Sequence, residues 1–365
     1  MPAMEESFSR IIILLPTWVG DAVMATPALS ALRRQFDRAH IIWMGNAAAR
    51  EVLAGLALAD DVVDDPSRRR GSPSIWQAGR LVRQGRYDLA VLLPNSFRSA
   101  FVCRLAGVPR RLGYARDGRG WLLTDRLAPP RGTDGKLEPT PAISYYLSLA
   151  EALGCSTPDR TMTLAVEPAF AKQADQLLEK AGVTSQTPLV VINPGASFGA
   201  SKLWPVERFA AVADELHERF GAAIAINAGP AETTIAAAME SAMRHRPAIN
   251  MTRARPSLGL LKAMTARAAL MITGDTGPRH MAAALGTAVV TIFGPTDPAW
   301  TIINYARERI IRVDLPCSPC QKKVCPLTGA QMHQCMLQIT PDMVLTAAEE
   351  LLRTSPSLGG REVGA

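Results

Sequence analysis

A polar turn followed directly by a helix is the segment of this chain best suited to bind an anion. We predict a buried strand over residues 270–273, a tight turn over 274–277 and a helix after it. The first N–H groups of a helix lack partners within it and carry the positive end of its dipole, so phosphate oxygens can bind there. The residues expected at this site are Gly274, Asp275, Thr276, Gly277 and His280. On local grounds alone, an ordinary junction with Asp275 as the N-cap is an equal alternative.

A second loop with phosphate-binding character covers residues 194–205, PGASFGASKLWP, after another predicted strand. Its small residues, including Ser197, leave backbone N–H groups accessible, and Lys202 adds a positive charge. The loop lacks the Gly-Lys-Ser/Thr ending of a Walker A motif. An exposed lysine is the alternative interpretation of Lys202.

Two carboxylates follow predicted strands and could act on a substrate. Asp21 follows Gly20 after the first strand, where a carboxylate could accept a proton from a substrate hydroxyl. Glu232 follows the strand predicted over residues 222–227, a position suited to accept hydrogen bonds from ribose hydroxyls. The alternatives are an N-cap role for Asp21 and a solvated position at a helix start for Glu232.

Four of the six cysteines form a close group in the sequence. They are Cys317, Cys320, Cys325 and Cys335. The Cys-x-x-Cys pair has a spacing found in zinc sites, whereas the later gaps are unequal, so a structural metal or iron-sulfur site and reduced free thiols both stay open. We expect Cys103 and Cys155 to be core residues.

The elements that position these residues alternate between strands and helices. Predicted strands cover residues 11–15, 41–44, 89–93, 189–192, 222–227, 270–273 and 288–293. Alternation of this kind is typical of parallel sheets with helices on both faces. Both halves open alike, with an apolar strand that leads through a Pro- and Gly-containing loop into a helix. The sequence therefore predicts an α/β chain with two doubly wound, Rossmann-like domains facing a central cleft.

The predicted organisation is an N-terminal domain at 1–183, a C-terminal domain at 184–354 and a disordered tail at 355–365. Residues 67–72 and 116–135 read as exposed loops of the first half. The apolar start at 11–15 is too short for a signal peptide, and we expect no transmembrane helix. The expected location is the cytoplasm.

Composition is that of a globular protein, with 365 residues of which 48% are hydrophobic and 20% charged. The net charge of +7 is concentrated in residues 98–131, which hold eight arginines against Asp117 and Asp125. Arginine is suited to bidentate capture of phosphate or carboxylate, so we expect an anionic substrate or an anionic membrane surface. With only 5% aromatic residues, the chain lacks a basic strand suited to stacking bases, and no nucleic acid partner is expected.

Taken together, these motifs resemble the lipopolysaccharide heptosyltransferases, and most closely heptosyltransferase II. The segments that carry the resemblance are LPTWVGDAVMATPAL (15–29), GYARDGRGWLLT (113–124), NPGA (193–196) with Lys202 and Trp204, the turn from Asp275 to His280, and the cysteine-rich segment 317–335. This family consists of inverting, ADP-heptose-dependent glycosyltransferases of the two-domain GT-B architecture. One departure is Pro278-Arg279, which stands where the family more usually has apolar or small residues.

The resemblance implies transfer of heptose from ADP-L-glycero-D-manno-heptose to the first heptose of the lipopolysaccharide inner core. It also implies that the domain at 1–183 binds the acceptor and the domain at 184–354 binds the nucleotide sugar. Asp21 matches the family's proposed base, and the donor-binding positions match Lys202, Glu232, Asp275, Thr276, Gly277 and His280. We expect Lys202 to stabilise the leaving group, and we expect no metal and no cofactor to be required. The expected partners are ADP-heptose and a phosphorylated, lipid-anchored acceptor held by residues 98–131, with transient contact at the cytoplasmic face of the inner membrane.

Two other classes of function stay open at this point. One is another nucleotide-sugar transferase or an epimerase of the same fold. The other, from a different class, is a non-catalytic protein whose cysteine group binds metal or senses redox state.

Overall fold

The computed structural model describes residues 8–68, 73–254 and 256–354. The chain divides into two compact units. The first contains the residues up to Thr163 together with Ala299–Ile302, and the second contains Leu164–Pro298 and the residues from Ile303 onward. The predicted tail at 355–365 and most of the predicted loop at 67–72 lie outside the described residues.

In the first unit, six strands and six helices alternate along the chain. The elements are β1 (Arg10–Leu14), α1 (Val19–Met24), α2 (Thr26–Gln35), β2 (His40–Gly45), α3 (Ala47–Leu53), β3 (Asp61–Asp64), α4 (Pro73–Gln84), β4 (Leu89–Leu92), α5 (Phe97–Ala106), β5 (Arg110–Tyr114), β6 (Asp125–Leu127) and α6 (Ala142–Glu151). The sheet is parallel in the order β3-β2-β1-β4-β5-β6.

The second unit repeats this plan. Its elements are α7 (Pro168–Lys180), β7 (Leu189–Asn193), α8 (Val206–Phe220), β8 (Ala223–Ile226), α9 (Thr233–Ala242), β9 (Ile249–Asn250), α10 (Leu258–Arg267), β10 (Leu270–Gly274), α11 (Gly277–Ala284), β11 (Ala288–Ile292), β12 (Glu308–Ile311), α12 (Gln334–Leu337) and α13 (Pro341–Arg353). Its strands are also parallel, in the order β12-β11-β10-β7-β8-β9. The prediction of two doubly wound α/β units is confirmed.

The central strands form because their residues are apolar on both faces. Ile11, Ile12 and Ile13 in β1 and Val190, Val191 and Ile192 in β7 are all at most 1% exposed. A strand covered by helices on both sides is stabilised by such continuous apolar runs rather than by alternation. Each sheet reverses its strand order beside its first strand, between β1 and β4 in one unit and between β7 and β10 in the other. Ligands of doubly wound sheets bind at this reversal, beyond the carboxyl ends of the strands.

Helix α7 belongs to the second unit, so the boundary between the units lies at 163/164 and not at the predicted 183/184. The reason is the packing of α7 against α10. The ring of Phe170 lies so close to Gly259 that an added Cβ would approach ring atom Cε2 to 2.2 Å. Asp175 also accepts a hydrogen bond of 2.8 Å from Arg267. No helix among the described residues is long and apolar enough to cross a membrane.

Candidate active site

The turn after β10 and the loop after β7 lie side by side because these two strands pair in register. Asn193 is the partner of Thr273 at the carboxyl ends of the strands. Both side chains are buried, and the Asn193 amide donates to Thr273 Oγ1 at 3.4 Å. Asn227, one strand further, donates to Asn193 Oδ1 at 2.6 Å. A buried polar ladder therefore fixes the three strand ends from which the site is built.

Lys202 and Asp275 form a nearly buried ion pair at this point. Lys202 Nζ lies 2.6 Å from Asp275 Oδ2 and 2.9 Å from the Asp275 carbonyl oxygen, and each side chain is 9% exposed. Thr296, in the loop after β11, donates to the same Oδ2 at 2.9 Å. The ammonium also lies 4.8 Å from the centroid of the Phe198 ring. The interpretation of Lys202 as an ordinary exposed lysine is wrong, because a short 3₁₀ helix at Ala200–Lys202 turns its side chain toward the β10 turn.

The other carboxylate oxygen of Asp275 faces Arg279, which is itself completely buried. The guanidinium lies 3.6 Å from Asp275 Oδ1 and forms a bidentate pair with Glu308, with distances of 2.6 and 3.0 Å. Thr291 Oγ1 donates to Glu308 at 2.7 Å. Burial acts to raise the pKa of Asp275, but the charges of Lys202 and Arg279 outweigh it and lower that pKa below its usual value. Asp275 is therefore ionised at neutral pH.

His280 supplies a neutral imidazole one turn into α11. It is 3% exposed, and its Nδ1 has no hydrogen-bond partner among the described residues. Burial, followed by the nearby charge of Arg279, lowers the pKa of His280 from 6.5 to about 3. The ring can thus serve a ligand as a hydrogen-bonding group without adding charge.

The start of α11 corrects one local alternative. The N-cap is Thr276, whose side chain makes no cap hydrogen bond and instead lies 2.9 Å from Thr273 Oγ1. The proposed N-cap role of Asp275 is wrong, since its carboxylate is held by Lys202. Gly277 is the first helical residue, and Pro278 has no N–H to offer. Arg279 N–H already donates to Thr276 O at 3.2 Å, which leaves the Gly277 N–H as the donor best suited to an anion.

Glu232 is brought against the loop after β7. It is the N-cap residue of α9, and its Oε2 accepts a hydrogen bond of 3.1 Å from Gly229 N–H. A Cβ at Gly195 would meet that oxygen at 2.3 Å, so only glycine admits the carboxylate here. Glu232 therefore lies beside the carboxyl ends of β7 and β8, half-buried at the start of α9. Ser197 is exposed in the turn at the tip of the same loop.

The cysteine-rich segment supports the loop that carries Lys202. Ser201 N–H donates to Lys323 O at 3.1 Å, and Ser201 Oγ donates to Lys322 O at 2.6 Å. All six cysteines are free. Within the described ranges, no group of three or more His, Cys, Asp or Glu side chains is arranged to hold a metal ion. Cys103 and Cys155 are buried, as predicted, and burial raises the pKa of these thiols to about 12 and about 11.

Asp21 lies at the corresponding reversal of the first unit, between β1 and β4. It sits in the first turn of α1, whose N-cap is Trp18, so the N-cap alternative for Asp21 is wrong. The buried hydroxyl of Tyr146 hydrogen-bonds to the Asp21 carboxylate. Burial and the negative charge of Asp21 raise the pKa of Tyr146 well above 10, so the hydroxyl stays protonated and acts as the donor.

The arginine-rich segment 98–131 is only partly a surface. Arg111 and Arg119 are buried and donate to backbone carbonyls, including Leu122 O at 2.7 Å and Tyr114 O at 3.0 Å. These two arginines fix the loops at the ends of β4 and β5. The expectation that the whole segment binds an anion is wrong for this pair, because their donors are used within the protein.

Sequence reasoning missed Thr296 and Glu308, which follow no recognisable motif. Glu308 stands in a short edge strand, and Thr296 lies in the loop after β11. The departure of Arg279 from the family pattern was one signal, because an arginine that becomes buried requires a carboxylate partner.

Two doubly wound parallel units are the architecture of the GT-B class of glycosyltransferases. The family model of glycosyltransferase family 9 (heptosyltransferase) matches residues 75–331. The chain belongs to glycosyltransferase family 9.

Individual relatives agree with this assignment. The lipopolysaccharide heptosyltransferase 2 of Salmonella typhimurium is 29% identical over 358 residues, which cover 94% of this chain and 98% of that protein. A glycosyltransferase of family 9 from Veillonella parvula has a similar structure, with a TM-score of 0.80 at 23% identity over 97% of this chain and 99% of that one. The structure of the E. coli ADP-heptose lipopolysaccharide heptosyltransferase II is similar with a TM-score of 0.76 at 24% identity, over 94% of this chain and 98% of that one. The protein is thus a glycosyltransferase, and the epimerase and binding-protein alternatives are not favoured.

Proposed function

We propose that this enzyme transfers heptose from ADP-L-glycero-D-manno-heptose to the first heptose of the lipopolysaccharide inner core. The observation that carries the proposal is the Lys202–Asp275 pair at the reversal between β7 and β10. It holds an ammonium near the start of α11, where Gly277 N–H is suited to bind an anion, and together these groups suit a diphosphate. Similarity to the E. coli ADP-heptose lipopolysaccharide heptosyltransferase II supports ADP-heptose as the donor.

In this proposal the second unit binds the nucleotide. The pyrophosphate lies against Gly277 N–H, with Thr276 and Lys202 beside it, and Ser197 contributes from the neighbouring loop. Glu232 accepts hydrogen bonds from the ribose, since its carboxylate lies over Gly195. Asp275 keeps Lys202 in place, and neutral His280 adds a hydrogen bond without repelling or attracting charge.

The chemical step is a single displacement at the anomeric carbon. The acceptor oxygen forms a bond to that carbon while the bond to the β-phosphate oxygen breaks, and ADP leaves with the electron pair. Lys202 stabilises the negative charge that develops on ADP. Asp21 accepts the proton of the acceptor hydroxyl, and attack opposite to the leaving group inverts the configuration. Because Lys202 and the helix start supply the positive charge, the proposed step needs no metal and no cofactor.

The acceptor is proposed to be lipid-anchored and phosphorylated, with the reaction at the cytoplasmic face of the inner membrane. The test is a product assay with purified enzyme, ADP-heptose and inner-core acceptors that carry no heptose or one heptose. We expect ADP release and a product mass increased by one heptose only with the acceptor that already carries one. Transfer to the heptose-free acceptor would instead assign the preceding step, and the lack of ADP release with both acceptors would contradict the proposal.

A further inference from the structure

The outward faces of two neighbouring helices in the first unit combine exposed aromatic rings with arginines. Helices α4 and α5 cover the same face of the sheet, because Ala78 and Val82 from one and Ala100 and Cys103 from the other join a single apolar cluster. A Cβ at Gly79 would lie 2.8 Å from the Leu105 side chain, so the helices approach each other closely. Their outward faces therefore form one continuous surface.

Large apolar side chains on this surface remain exposed to an unusual degree. Trp76 on α4 is 61% exposed, Phe97 on α5 is 44% exposed, and Trp121 beside it is 63% exposed. The rings of Phe97 and Trp121 lie 6.1 Å apart, and Phe97 stacks on Phe101 at 6.0 Å. A cluster of exposed aromatic rings marks an interaction site more often than scattered single residues do.

The charged residues of the two helices have one sign, although Asp117 and Asp125 flank Trp121 in the sequence. Residues 73–87 and 89–116 contain no aspartate or glutamate. Arg80, Arg98 and Arg104 are exposed on the two helices. The single acidic residue in between, Asp88, accepts hydrogen bonds from Ser9 and Arg10 at the amino end of β1. The α4–α5 surface, formed by Trp76, Arg80, Phe97, Arg98, Arg104 and Trp121, is thus cationic and aromatic.

We propose that the α4–α5 surface docks the enzyme on an anionic membrane. Tryptophan and phenylalanine side chains favour the headgroup region of a bilayer, where their rings leave water. Arginines beside them are attracted to anionic lipid headgroups. The inference rests on the proposed function in one respect, namely that the acceptor is lipid-anchored. The groups that contact lipid are the exposed arginines of this surface, and not the buried Arg111 and Arg119.

The test measures partitioning of the full chain onto vesicles of phosphatidylcholine, with and without phosphatidylglycerol. We expect binding to the anionic vesicles only, weakening as salt is added. The substitution Arg80→Gln should lower partitioning about five-fold, and Arg80→Gln with Arg104→Gln about 25-fold. Trp76→Ser and Phe97→Ser should also weaken it, whereas Arg246→Gln, an exposed arginine of the second unit, should not change it.

A second measurement separates docking from catalysis. Turnover of a delipidated, water-soluble acceptor by the Trp76→Ser/Arg80→Gln double variant should equal that of the unaltered enzyme, while turnover of vesicle-embedded acceptor should fall. Unaltered vesicle binding in all these variants, or equal loss with Arg246→Gln, would overturn the proposal. If the proposed function were wrong, the unaltered enzyme would turn over neither acceptor. Vesicle binding requires no turnover, so it tests the docking surface independently of the proposed function.

Discussion

The Lys202 ammonium and the Asp275 carboxylate lie 2.6 Å apart with 9% of each side chain exposed. Two further residues hold the Asp275 carboxylate in place, since Thr296 donates to the same oxygen and Arg279 faces the other one. A cation held by a protein carboxylate is already ordered before any phosphate arrives. Such preorganisation lowers the cost of stabilising charge during a reaction.

Replacing Lys202 with methionine should lower kcat/KM for ADP-heptose by about 10²- to 10³-fold, because a charge aimed at the departing diphosphate is lost. The measurement is steady-state ADP release. Lys323→Met is the matched control, since its ammonium lies 6.0 Å from the same Phe198 ring but is exposed. Equal losses in both variants would show that general positive charge, and not the Lys202 position, matters.

Replacing Asp21 with asparagine should reduce kcat by about 10²- to 10⁴-fold, the range expected when a general base is removed. ADP binding, measured by calorimetry, should not change, because Asp21 belongs to the first unit and the loops proposed to bind the nucleotide belong to the second. Asp37→Asn, an exposed aspartate of the same unit, serves as the control. Retained turnover in Asp21→Asn would remove this residue as the base.

The stability of the fold should fall as the pH is lowered from about 6.5 toward 3. His280 has a folded-state pKa of about 3 against an ordinary value of 6.5, so in this interval the unfolded chain binds a proton that the folded chain does not. The free energy of unfolding should therefore decrease by at most about 1.4 kcal/mol per pH unit from this group. Asp275 adds to the loss as the pH falls through about 3.8, because the unfolded carboxyl then binds a proton that the folded carboxyl, with its lowered pKa, does not.

Urea unfolding of the His280→Gln variant between pH 4.5 and 6.5 tests whether His280 causes this loss of stability. The free energy of unfolding of the variant should depend less on pH than that of the unaltered chain. An equal dependence in both proteins would mean that other groups cause it.

Removing one member of the buried Arg279–Glu308 pair should cost about 3–5 kcal/mol of unfolding free energy, since the partner charge is left without compensation. The double variant Arg279→Met/Glu308→Gln should recover much of the loss. Arg253→Met breaks a surface pair with Glu240 and should cost less than about 1 kcal/mol. A double variant as unstable as the sum of the single variants would show that the two residues do not act as a pair.

The sequence was sufficient to predict the central strands and the two doubly wound units. Continuous apolar runs such as 11–15 and 189–192 leave little choice of element, and the alternation of strands and helices then determines a parallel sheet. Five strands at or next to the sheet edges, β3, β5, β6, β9 and β12, were not predicted. Most are short and contain charged or polar residues, as in Asp61–Asp64 and Glu308–Ile311, so local pattern gives them no signal.

The candidate site was predictable where its residues follow central strands. Lys202, Glu232, Asp275 and His280 lie at or near the β7–β10 reversal, although their roles toward a substrate remain predictions. The partners of Asp275 were not predictable, because Thr296 and Arg279 reach it through tertiary packing. The arginine-rich segment was misjudged in part for the same reason, since composition does not distinguish an arginine on the surface from Arg119 beneath it.

The packing of α7 on α10 determines where the chain could be divided without damage. A fragment that starts at residue 184 would lack Phe170 and Asp175, and so would expose the groove at Gly259 and leave Arg267 without its carboxylate. A fragment that starts at Leu164 keeps both contacts. Separate production of the second unit should therefore begin at Leu164, about twenty residues before the predicted boundary.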